Sequence, residues 1–353
     1  MPIVIREADP ISDRQVMQDC LRRNRTRYEE NEAFEARFDW AYRDNPHGPG
    51  KAWLAVDQNK NQVVGFTSAF PRKVRVDGKL LTGWNCADFS IDKEYRTLGV
   101  AMKLRRAAKD CVDRGEFDFL FAHPNDRMLA VHEKVGHQPI GKMVRYAALL
   151  RLENKLETFT GNKLAANALA ALGNPFLHFI TPGRSHAGAY EFCLTEENSF
   201  GAEYDQLFEK AVKQHRVIVQ RDSAYLTWRF LRNPLYRMNS FRMQRGEELQ
   251  GYALFYEAKG AAHVMELLVE GRDENMQLLL RALIHHLRKV RINTISLRLH
   301  DLNPFLSNAQ QLGFRYRDDA TSTVIAYANS AQPYAATILE GKNWFMTVGD
   351  RDI

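Results

Sequence analysis

The sequence predicts a mixed α/β fold made of two tandem domains, each a twisted mixed sheet flanked by helices. Three observations support this fold class: strand and helix patterns alternate along the first half, sequence signatures recur in the second half, and 353 residues are enough for two cores. We therefore expect a first domain at residues 1–150, a helical linker at 151–188, a second domain at 189–330 and a C-terminal tail at 331–353.

Hydrophobic spacing predicts the elements of the first half in order. We expect helices at about residues 11–22 and 31–43, strands at 52–56, 63–70, 74–76 and 83–91, a helix at 101–114, a strand at 117–122 and a helix at 127–135. The alanine- and leucine-rich stretch after residue 151 predicts the helical linker, and contact with a membrane surface is the alternative interpretation of its apolar character.

The two halves share a short aromatic motif. The pattern W-x-[YF]-x-x-N-P occurs at residues 40–46 and again at 228–234, and each copy ends a segment of helical character because the residue before a proline is pushed out of the α region. Two further signatures, around Gly65 and Gly251 and around Gly136 and Gly313, follow in the same order. Three signatures in one order indicate a tandem repeat.

Composition excludes several classes of protein. A content of 45% hydrophobic and 26% charged residues is that of a folded globular chain, and no run approaches the roughly 20 apolar residues of a membrane span. The four cysteines are scattered, which predicts neither a disulfide framework nor a zinc site. The net charge of +6 favours an anionic ligand but is not concentrated as in nucleic-acid-binding proteins, so we expect a cytoplasmic protein that binds small molecules.

A loop at residues 94–101 gives the first functional indication. It lies between a predicted strand and a predicted helix, where backbone N–H groups and the positive end of the helix dipole point at one place. Gly99 allows a ligand to approach the backbone, Ala101 keeps the next contact small, and Arg96 adds a positive charge. This arrangement is typical of a pyrophosphate site.

The pattern R-x-x-G-x-A formed by Arg96, Gly99 and Ala101, followed by a helix, a strand, Asn125 and the segment 131–137, resembles the GNAT superfamily of acyl-CoA-dependent N-acyltransferases. The resemblance implies a GNAT-type fold, acetyl-CoA as co-substrate and a reaction that requires no metal. It further implies that the strand end and the loop bind the cofactor through Phe89, Ser90, Ile91, Arg96, Thr97, Leu98, Gly99, Val100, Ala101 and Asn125.

The second half departs from this pattern where its phosphate loop should lie. Residues 269–275 contain no Arg-x-x-Gly and carry three carboxylates, Glu270, Asp273 and Glu274, which would repel a pyrophosphate. We interpret the second half as a GNAT-like domain that has lost CoA binding and shapes the acceptor pocket.

The reaction implied by the resemblance needs a base and an acid. An amine arrives mostly as an ammonium ion and must lose a proton before it attacks a thioester. Two residues are candidate bases: Asp88, expected by alternation on the same strand face as Cys86 and Ser90, and His123 at the end of the next strand. His132 occupies the family's tyrosine position and is the candidate acid for the departing thiolate. No nucleophilic triad can be assembled from the sequence.

The repeated motif supplies candidate acceptor contacts, because the first helices of GNAT proteins wall the acceptor site: Trp40, Arg43, Asn45, Trp228, Arg229 and Arg232. By analogy with two-domain, aromatic-rich GNAT proteins, we expect an N-acetyltransferase that acts on a nucleotide-linked amino sugar in polysaccharide biosynthesis. Two alternatives remain. A Fem-type aminoacyl transferase is also a tandem GNAT fold but generally lacks the CoA loop, and a non-catalytic module would bind acetyl-CoA without turnover.

Overall fold

The computed structural model describes residues 3–25, 31–96, 98–181, 190–271 and 273–352. Its strands join one mixed sheet, and helices pack on both faces. The strands are β1 (Ile3–Ala8), β2 (Lys51–Asp57), β3 (Gln62–Val76), β4 (Lys79–Ile91), β5 (Phe119–Ala122), β6 (Gln138–Leu149), β7 (Glu191–Thr195), β8 (Val217–Val219), β9 (Asn239–Arg245), β10 (Glu248–Ala258), β11 (Ala261–Val269), β12 (Thr294–His300), β13 (Arg315–Ala328) and β14 (Trp344–Phe345). The helices are α1 (Arg14–Asn24), α2 (Asn31–Tyr42), α3 (Leu98–Asp113), α4 (Asp126–Lys134), α5 (Glu153–Thr160), α6 (Lys163–Ile180), α7 (Ala202–Ala211), α8 (Ser223–Leu226), α9 (Asp273–Lys289), α10 (Leu306–Ala309) and α11 (Ala335–Leu339).

The order of elements confirms the predicted mixed α/β fold with two similar halves. In the first half β2, β3 and β4 form an antiparallel meander, and β4 pairs in parallel with β5 after the crossover helix α3. In the second half β9, β10 and β11 form the meander, and β11 pairs in parallel with β12 after α9. The two segments predicted at 63–70 and 74–76 are one continuous strand, β3. The domain boundaries at residues 150 and 189 stay predictions.

The two halves exchange their last strands. β13, from the end of the second half, lies between β5 and β6, while β6 of the first half pairs with β12 of the second. Each half-sheet is therefore completed by a strand from the other half. A fragment that ends at residue 150 lacks the strand that lies beside β5.

A reciprocal tryptophan contact also joins the halves. The rings of Trp40 and Trp228 stack with their centroids 4.8 Å apart, and each indole N–H donates a 2.7 Å hydrogen bond to the backbone carbonyl of the other tryptophan. Both side chains are buried. The repeated motif thus places its two tryptophans against each other at the contact between the halves.

The C-terminal segment, residues 344–352, runs through the gap between the strands of the second half. β11 and β12 pair only over residues 261–264 and 294–297, and Thr347 then bridges to Leu299 of β12 and donates its hydroxyl to Glu266 of β11, at 2.9 Å. β14 extends the sheet by pairing with β8. The gap that corresponds to the β4–β5 separation of the first half is therefore occupied by the chain itself.

Two buried arginines hold this segment in place. Arg221 forms ion pairs with Glu266, at 3.0 Å, and with Asp350, at 2.7 Å, and all three side chains are at most 1% exposed. Arg229 donates hydrogen bonds to the backbone carbonyls of Gly349, at 2.8 Å, and Arg351. The end of the segment is thereby directed toward the first half.

Candidate active site

The first half contains an opening between two parallel strands. Residues 83–85 of β4 pair with residues 119–121 of β5, and beyond these residues the strands no longer pair. Helix α3 begins at Leu98, just after β4 and a short 3-10 turn at Lys93–Tyr95, and α4 begins just after β5. The opening, which we call the wedge, is therefore bordered by a strand edge and the start of a 16-residue helix.

A β-bulge shapes the β4 side of the wedge. Ser68 pairs with Ala87 and Phe66 with Ser90, so that one residue of β3 faces both Asp88 and Phe89. Asp88 has a φ of +32°, in the left-handed region that non-glycine residues rarely adopt. The bulge interrupts the alternation of side chains along the strand.

The bulge corrects the expected orientation of Asp88. Cys86 belongs to the core beneath α3, whereas Asp88 bonds to α2 and the Ser90 hydroxyl donates to the backbone carbonyl of Cys20 in α1. Asp88 and Ser90 therefore share a face, as expected, but Cys86 lies on the opposite one. Simple alternation fails because the extra residue shifts the pattern by one.

Asp88 lies in a buried network of opposite charges. Its two oxygens accept hydrogen bonds from the Arg37 guanidinium, both at 3.0 Å, and it also accepts one from the Tyr42 hydroxyl at 3.0 Å and lies 3.6 Å from Arg25. Burial would raise the pKa of Asp88, but the charges of Arg37 and Arg25 and these hydrogen bonds lower it below its ordinary value. Asp88 is thus a fixed carboxylate with little capacity to accept a proton.

The other face of the wedge holds a cluster of two histidines, a thiol and a guanidinium. Cys86, His132 and His137 place one potential ligand atom each within 4.8 Å of one another. Arg105 of α3, which is 2% exposed, donates to the carbonyl of Ala87 at 3.2 Å, while its Nε and Nη1 find no partner among the described residues. A cysteine and histidine cluster is therefore present that the scattered sequence positions did not reveal.

The charges around this cluster decide its chemistry. Burial, together with the positive charge of Arg105, lowers the pKa of His132 well below its ordinary value and that of His137 to about 3. Burial raises the pKa of the Cys86 thiol, an effect that Arg105 opposes. Neutral imidazoles and a thiol could bind a metal ion, but the nearby guanidinium repels a cation and attracts an anionic sulfur. The expectation that no metal is needed stays a prediction.

His123 and Asn125 follow β5 at the opposite border of the wedge. His123 is 5% exposed, and burial, with smaller effects from Arg351 and His300, lowers its pKa to about 3. Neither ring nitrogen has a hydrogen-bond partner among the described residues. Asn125 caps α4, since its side-chain oxygen accepts from the backbone N–H of Met128 at 3.1 Å.

The predicted cofactor loop leads into α3 as expected. Gly99 is exposed, whereas Val100 and Ala101 are buried, so the open start of the helix lies at Gly99. The Arg96 side chain donates to the carbonyl of Ile91 at 2.9 Å and to Asn24 at 2.8 Å. Thr97 lies outside the described residues, as does the side chain of Leu98.

The β4 end of this predicted site contacts two arginines. The carbonyl of Phe89 accepts from Arg25 at 2.9 Å, and the Phe89 ring lies 5.2 Å from the Arg105 guanidinium. Ile91 is 6% exposed and packs in the α3 core.

The structure places most of the predicted acceptor residues inside the molecule. Trp40 and Trp228 stack on each other, Arg229 holds the C-terminal segment, and the Asn45 amide donates to the carbonyl of Pro71 at 3.0 Å. The cavity that borders Trp40, Trp228 and Arg229 measures about 10 Å³, which is too small for a sugar. Arg43 and Arg232 are exposed.

A larger cavity of about 370 Å³ is lined by β10, β11 and β12 of the second half, by the C-terminal segment and by Arg145 of β6. Its wall contains stacked rings: the ring centroids of Tyr236 and Tyr256 are 4.6 Å apart, and those of Tyr256 and His263 are 4.8 Å apart. Three guanidiniums also border it, and among the described residues only Arg145 has a carboxylate within 4 Å, Asp319 at 2.7 Å. Burial, followed by the charges of the other two arginines, lowers the pKa of Arg298. The aromatic and charged side chains that line the cavity include Arg145, Tyr236, Tyr256, Arg298, Arg351 and Asp352.

Asp352 connects this cavity to the wedge. It borders the cavity, and its charge interacts with Asp88, Arg37 and Arg25 in the first half. Burial raises the pKa of Asp352 and Asp88 adds to the rise, while the arginines oppose it. The sequence did not predict a role for Asp352, because no sequence motif relates it to Asp88 of β4, more than two hundred residues earlier.

Comparison with known proteins gives a family match within the first half and similar structures over most of the chain. Residues 15–137 match the family model described as Acetyltransferase (GNAT) family. A GCN5-related N-acetyltransferase from Anabaena variabilis has a similar structure, with 11% identity and a TM-score of 0.65 over 93% of this chain and 73% of that one. A probable N-acyltransferase from Enterococcus faecalis matches at 10% identity and a TM-score of 0.63 over the same shares.

A further similar structure is Saccharomyces cerevisiae N-myristoyltransferase with bound myristoyl-CoA, at 14% identity and a TM-score of 0.55 over 94% of this chain and 81% of that one. At these identities the likeness is one of fold. No curated protein matches the sequence.

Proposed function

We propose that this chain, whose residues 15–137 match the GNAT acetyltransferase family model, transfers an acetyl group from acetyl-CoA to a primary amine within the wedge. The observation that carries this proposal is the separation of β4 from β5 next to the start of α3. The free strand edge can bond the extended arm of CoA, and the backbone N–H groups at Gly99, Val100 and Ala101 can meet its pyrophosphate. For cofactor binding we propose the residues that the sequence predicts, namely Phe89–Ile91, Arg96–Ala101 and Asn125.

The second half supports a single cofactor site. Its corresponding gap holds residues 346–348 of the chain, and the loop before α9 is acidic at Glu270. We propose that the first half alone binds acetyl-CoA and that the second half contributes to acceptor binding.

The thioester sulfur leaves as a thiolate that must be stabilised. His132 is neutral at pH 7 because its pKa is lowered, so it cannot supply a proton as an imidazolium ion. Arg105 is a buried cation on the same side of the wedge with two unpartnered nitrogens. We assign the stabilisation of the thiolate to Arg105, with the His132 N–H as a hydrogen-bond donor.

Three residues could accept the proton of the ammonium ion. Asp88 is held by Arg37 and has a lowered pKa, and His123 has a pKa of about 3, so both are weak bases. Asp352 has a raised pKa and lies where the cavity meets the wedge. We propose Asp352 as the base, while Asp88 orients Arg37, whose charge acts on Asp352.

The cavity lined by β10–β12, Arg145 and the C-terminal segment suits an acceptor that carries phosphates and a planar ring. Arg145, Arg298 and Arg351 supply positive charge, and guanidinium groups bind phosphate oxygens in pairs. The stacked Tyr236 and Tyr256 offer a flat surface for a base or sugar. A nucleotide-linked amino sugar carries phosphates, a planar base and an amine. Of the acceptor residues that the sequence predicts, Arg43 and Arg232 are exposed and could contact such a substrate at the surface.

The proposed function predicts thiol release from acetyl-CoA in the presence of an amine-bearing nucleotide sugar. We expect the wild-type protein to favour this acceptor over polyamines, aminoglycosides and peptides, and Gly99→Asp to abolish both thiol release and acetyl-CoA binding because a carboxylate repels the pyrophosphate. Calorimetry measures the binding, and Asn275→Asp, which adds the same charge to the first turn of α9, is the matched control. Unchanged CoA affinity in Gly99→Asp would contradict the cofactor site, and a preference for peptides would contradict the acceptor.

The pH dependence of kcat/KM separates the candidate bases. A base must be deprotonated to act, so activity rises with pH through its pKa, and the raised pKa of Asp352 should give an acidic limb above the ordinary range of an aspartate. We expect Asp352→Asn to lower kcat by about 10²–10⁴-fold and to remove this limb, while His123→Ala changes kcat by less than about tenfold. The reverse result would assign the base to His123.

A further inference from the structure

The hairpin of α5 and α6 turns its large apolar side chains outward. Leu164, Leu172, Phe176 and Phe179 of α6 are 81%, 73%, 71% and 86% exposed, and Phe159 of α5 is 89% exposed. An ordinary surface helix buries such residues and exposes polar ones. This helix does the opposite, and its sequence from residue 164 to 180 contains no aspartate, glutamate, lysine or arginine.

The side of α6 that faces the protein is made of small residues. Ala166 and Ala170 are 1% exposed, and Gly173 lies against Leu152, where a Cβ atom would come within 2.4 Å of the leucine side chain. The amide of Asn174 fixes the same side, since its oxygen accepts from the backbone N–H of Leu152 at 3.0 Å. The orientation of the helix is therefore set by close packing, and the outward position of its large residues follows from it.

Basic residues surround this apolar face. Lys155 and Lys163 lie on the hairpin, Lys289 ends α9 and Arg291 follows it; all four are exposed, and none forms an ion pair within 4 Å among the described residues. The end of α9 lies beside α6, because the Arg288 guanidinium donates to the carbonyl of Leu177 at 3.2 Å. The apolar face is therefore bordered by four unpaired cations, with Glu157 of α5 as an exposed carboxylate on the same hairpin.

We propose that this face binds the surface of an anionic lipid bilayer, with α6 lying in the plane of the headgroups. Exposed phenylalanine and leucine side chains enter the acyl boundary, and the surrounding cations meet the anionic headgroups. The charge distribution favours a lipid surface over a second copy of this chain, because a two-fold contact through this face would bring the same cations together. No helix in the described ranges is long and apolar enough to cross a membrane. The proposal is independent of the acyl-transfer site.

Flotation of the full-length protein with vesicles tests this proposal. We expect the protein to float with vesicles of mixed phosphatidylglycerol and phosphatidylcholine, to bind pure phosphatidylcholine more weakly, and to lose the difference at high salt. The double variant Phe176→Glu with Phe179→Glu should bind at least about tenfold more weakly. Ile11→Glu, which changes an apolar residue that is 74% exposed elsewhere, is the matched control and should bind like the wild type.

Two outcomes would overturn the proposal. The first is equal flotation of the wild type and the double variant. The second is a wild-type dimer, measured by light scattering, that the double variant converts to a monomer while neither protein binds vesicles. Circular dichroism should show that the double variant retains its helices. The variant Lys289→Glu, which leaves α6 unchanged, should lower binding to anionic vesicles alone.

Discussion

Arg221→Leu is expected to lower the free energy of unfolding by about 3–5 kcal/mol. The change leaves Glu266 and Asp350 buried without their positive partner, and a buried uncompensated charge is among the most costly defects in a core. Burial already raises the pKa of Glu266, so this carboxyl should take up a proton in the variant. Urea denaturation monitored by tryptophan fluorescence measures the loss.

The matched control for Arg221 is Arg114→Leu. Arg114 pairs with Glu116 at the surface, where both side chains are exposed and water screens the pair, so little change in stability is expected. Because Arg221 anchors Asp350, its loss should also release Asp352 and lower kcat in the conditions where the variant is folded. Equal stability of the two variants would contradict this account of the buried ion pairs.

Trp228→Ala should destabilise the protein by about 3–5 kcal/mol, the range for removing a large buried aromatic side chain. The variant loses the stack on Trp40 and leaves the Trp40 carbonyl without the indole N–H that it accepts. Trp40→Ala should cost a similar amount, since the two contacts are reciprocal. Denaturant midpoints of the single variants measure both effects.

A double-mutant cycle measures the stability that comes from the contact between the two rings, apart from the packing of each ring in its own half. The double variant Trp40→Ala with Trp228→Ala should lose less stability than the sum of the single changes, because each removes the same contact. Trp228→Phe keeps an aromatic ring without the N–H and should fall between wild type and alanine. Additive losses would show that the two rings contribute separately to their own halves.

Local patterns predicted much of the fold. Helices and strands of the first half were recognisable from spacing, and the repeated motif correctly indicated two similar halves that contain Trp40 and Trp228 at matching positions. The exchange of β6 and β13 was not predictable, because strand pairing between residues so distant in sequence leaves no periodic signal.

The site was predicted less completely than the fold. The loop at Gly99 precedes a helix as expected, but the bulge at Asp88 could not be read from alternation, and it moved Cys86 to the face of His132 and His137. The predicted acceptor residues Trp40 and Arg229 have packing roles, while the aromatic and cationic groups of the cavity, such as Tyr256 and Arg298, lie on strands that carry no motif. Spacing reveals local geometry, and these groups meet only through the tertiary fold.

The exchanged strand has a consequence for the synthesis of the protein. β5 and β6 are complete once residue 149 has been made, yet β13, which lies between them, begins at residue 315. At about 5–20 residues per second, the ribosome takes roughly 10–30 s to deliver the missing strand. During that interval the edges of β5 and β6 that β13 later fills are open to pairing with other nascent chains. Slow translation or premature termination after β6 should therefore increase aggregation, and overexpression should benefit from low temperature and from chaperones that cover open strands.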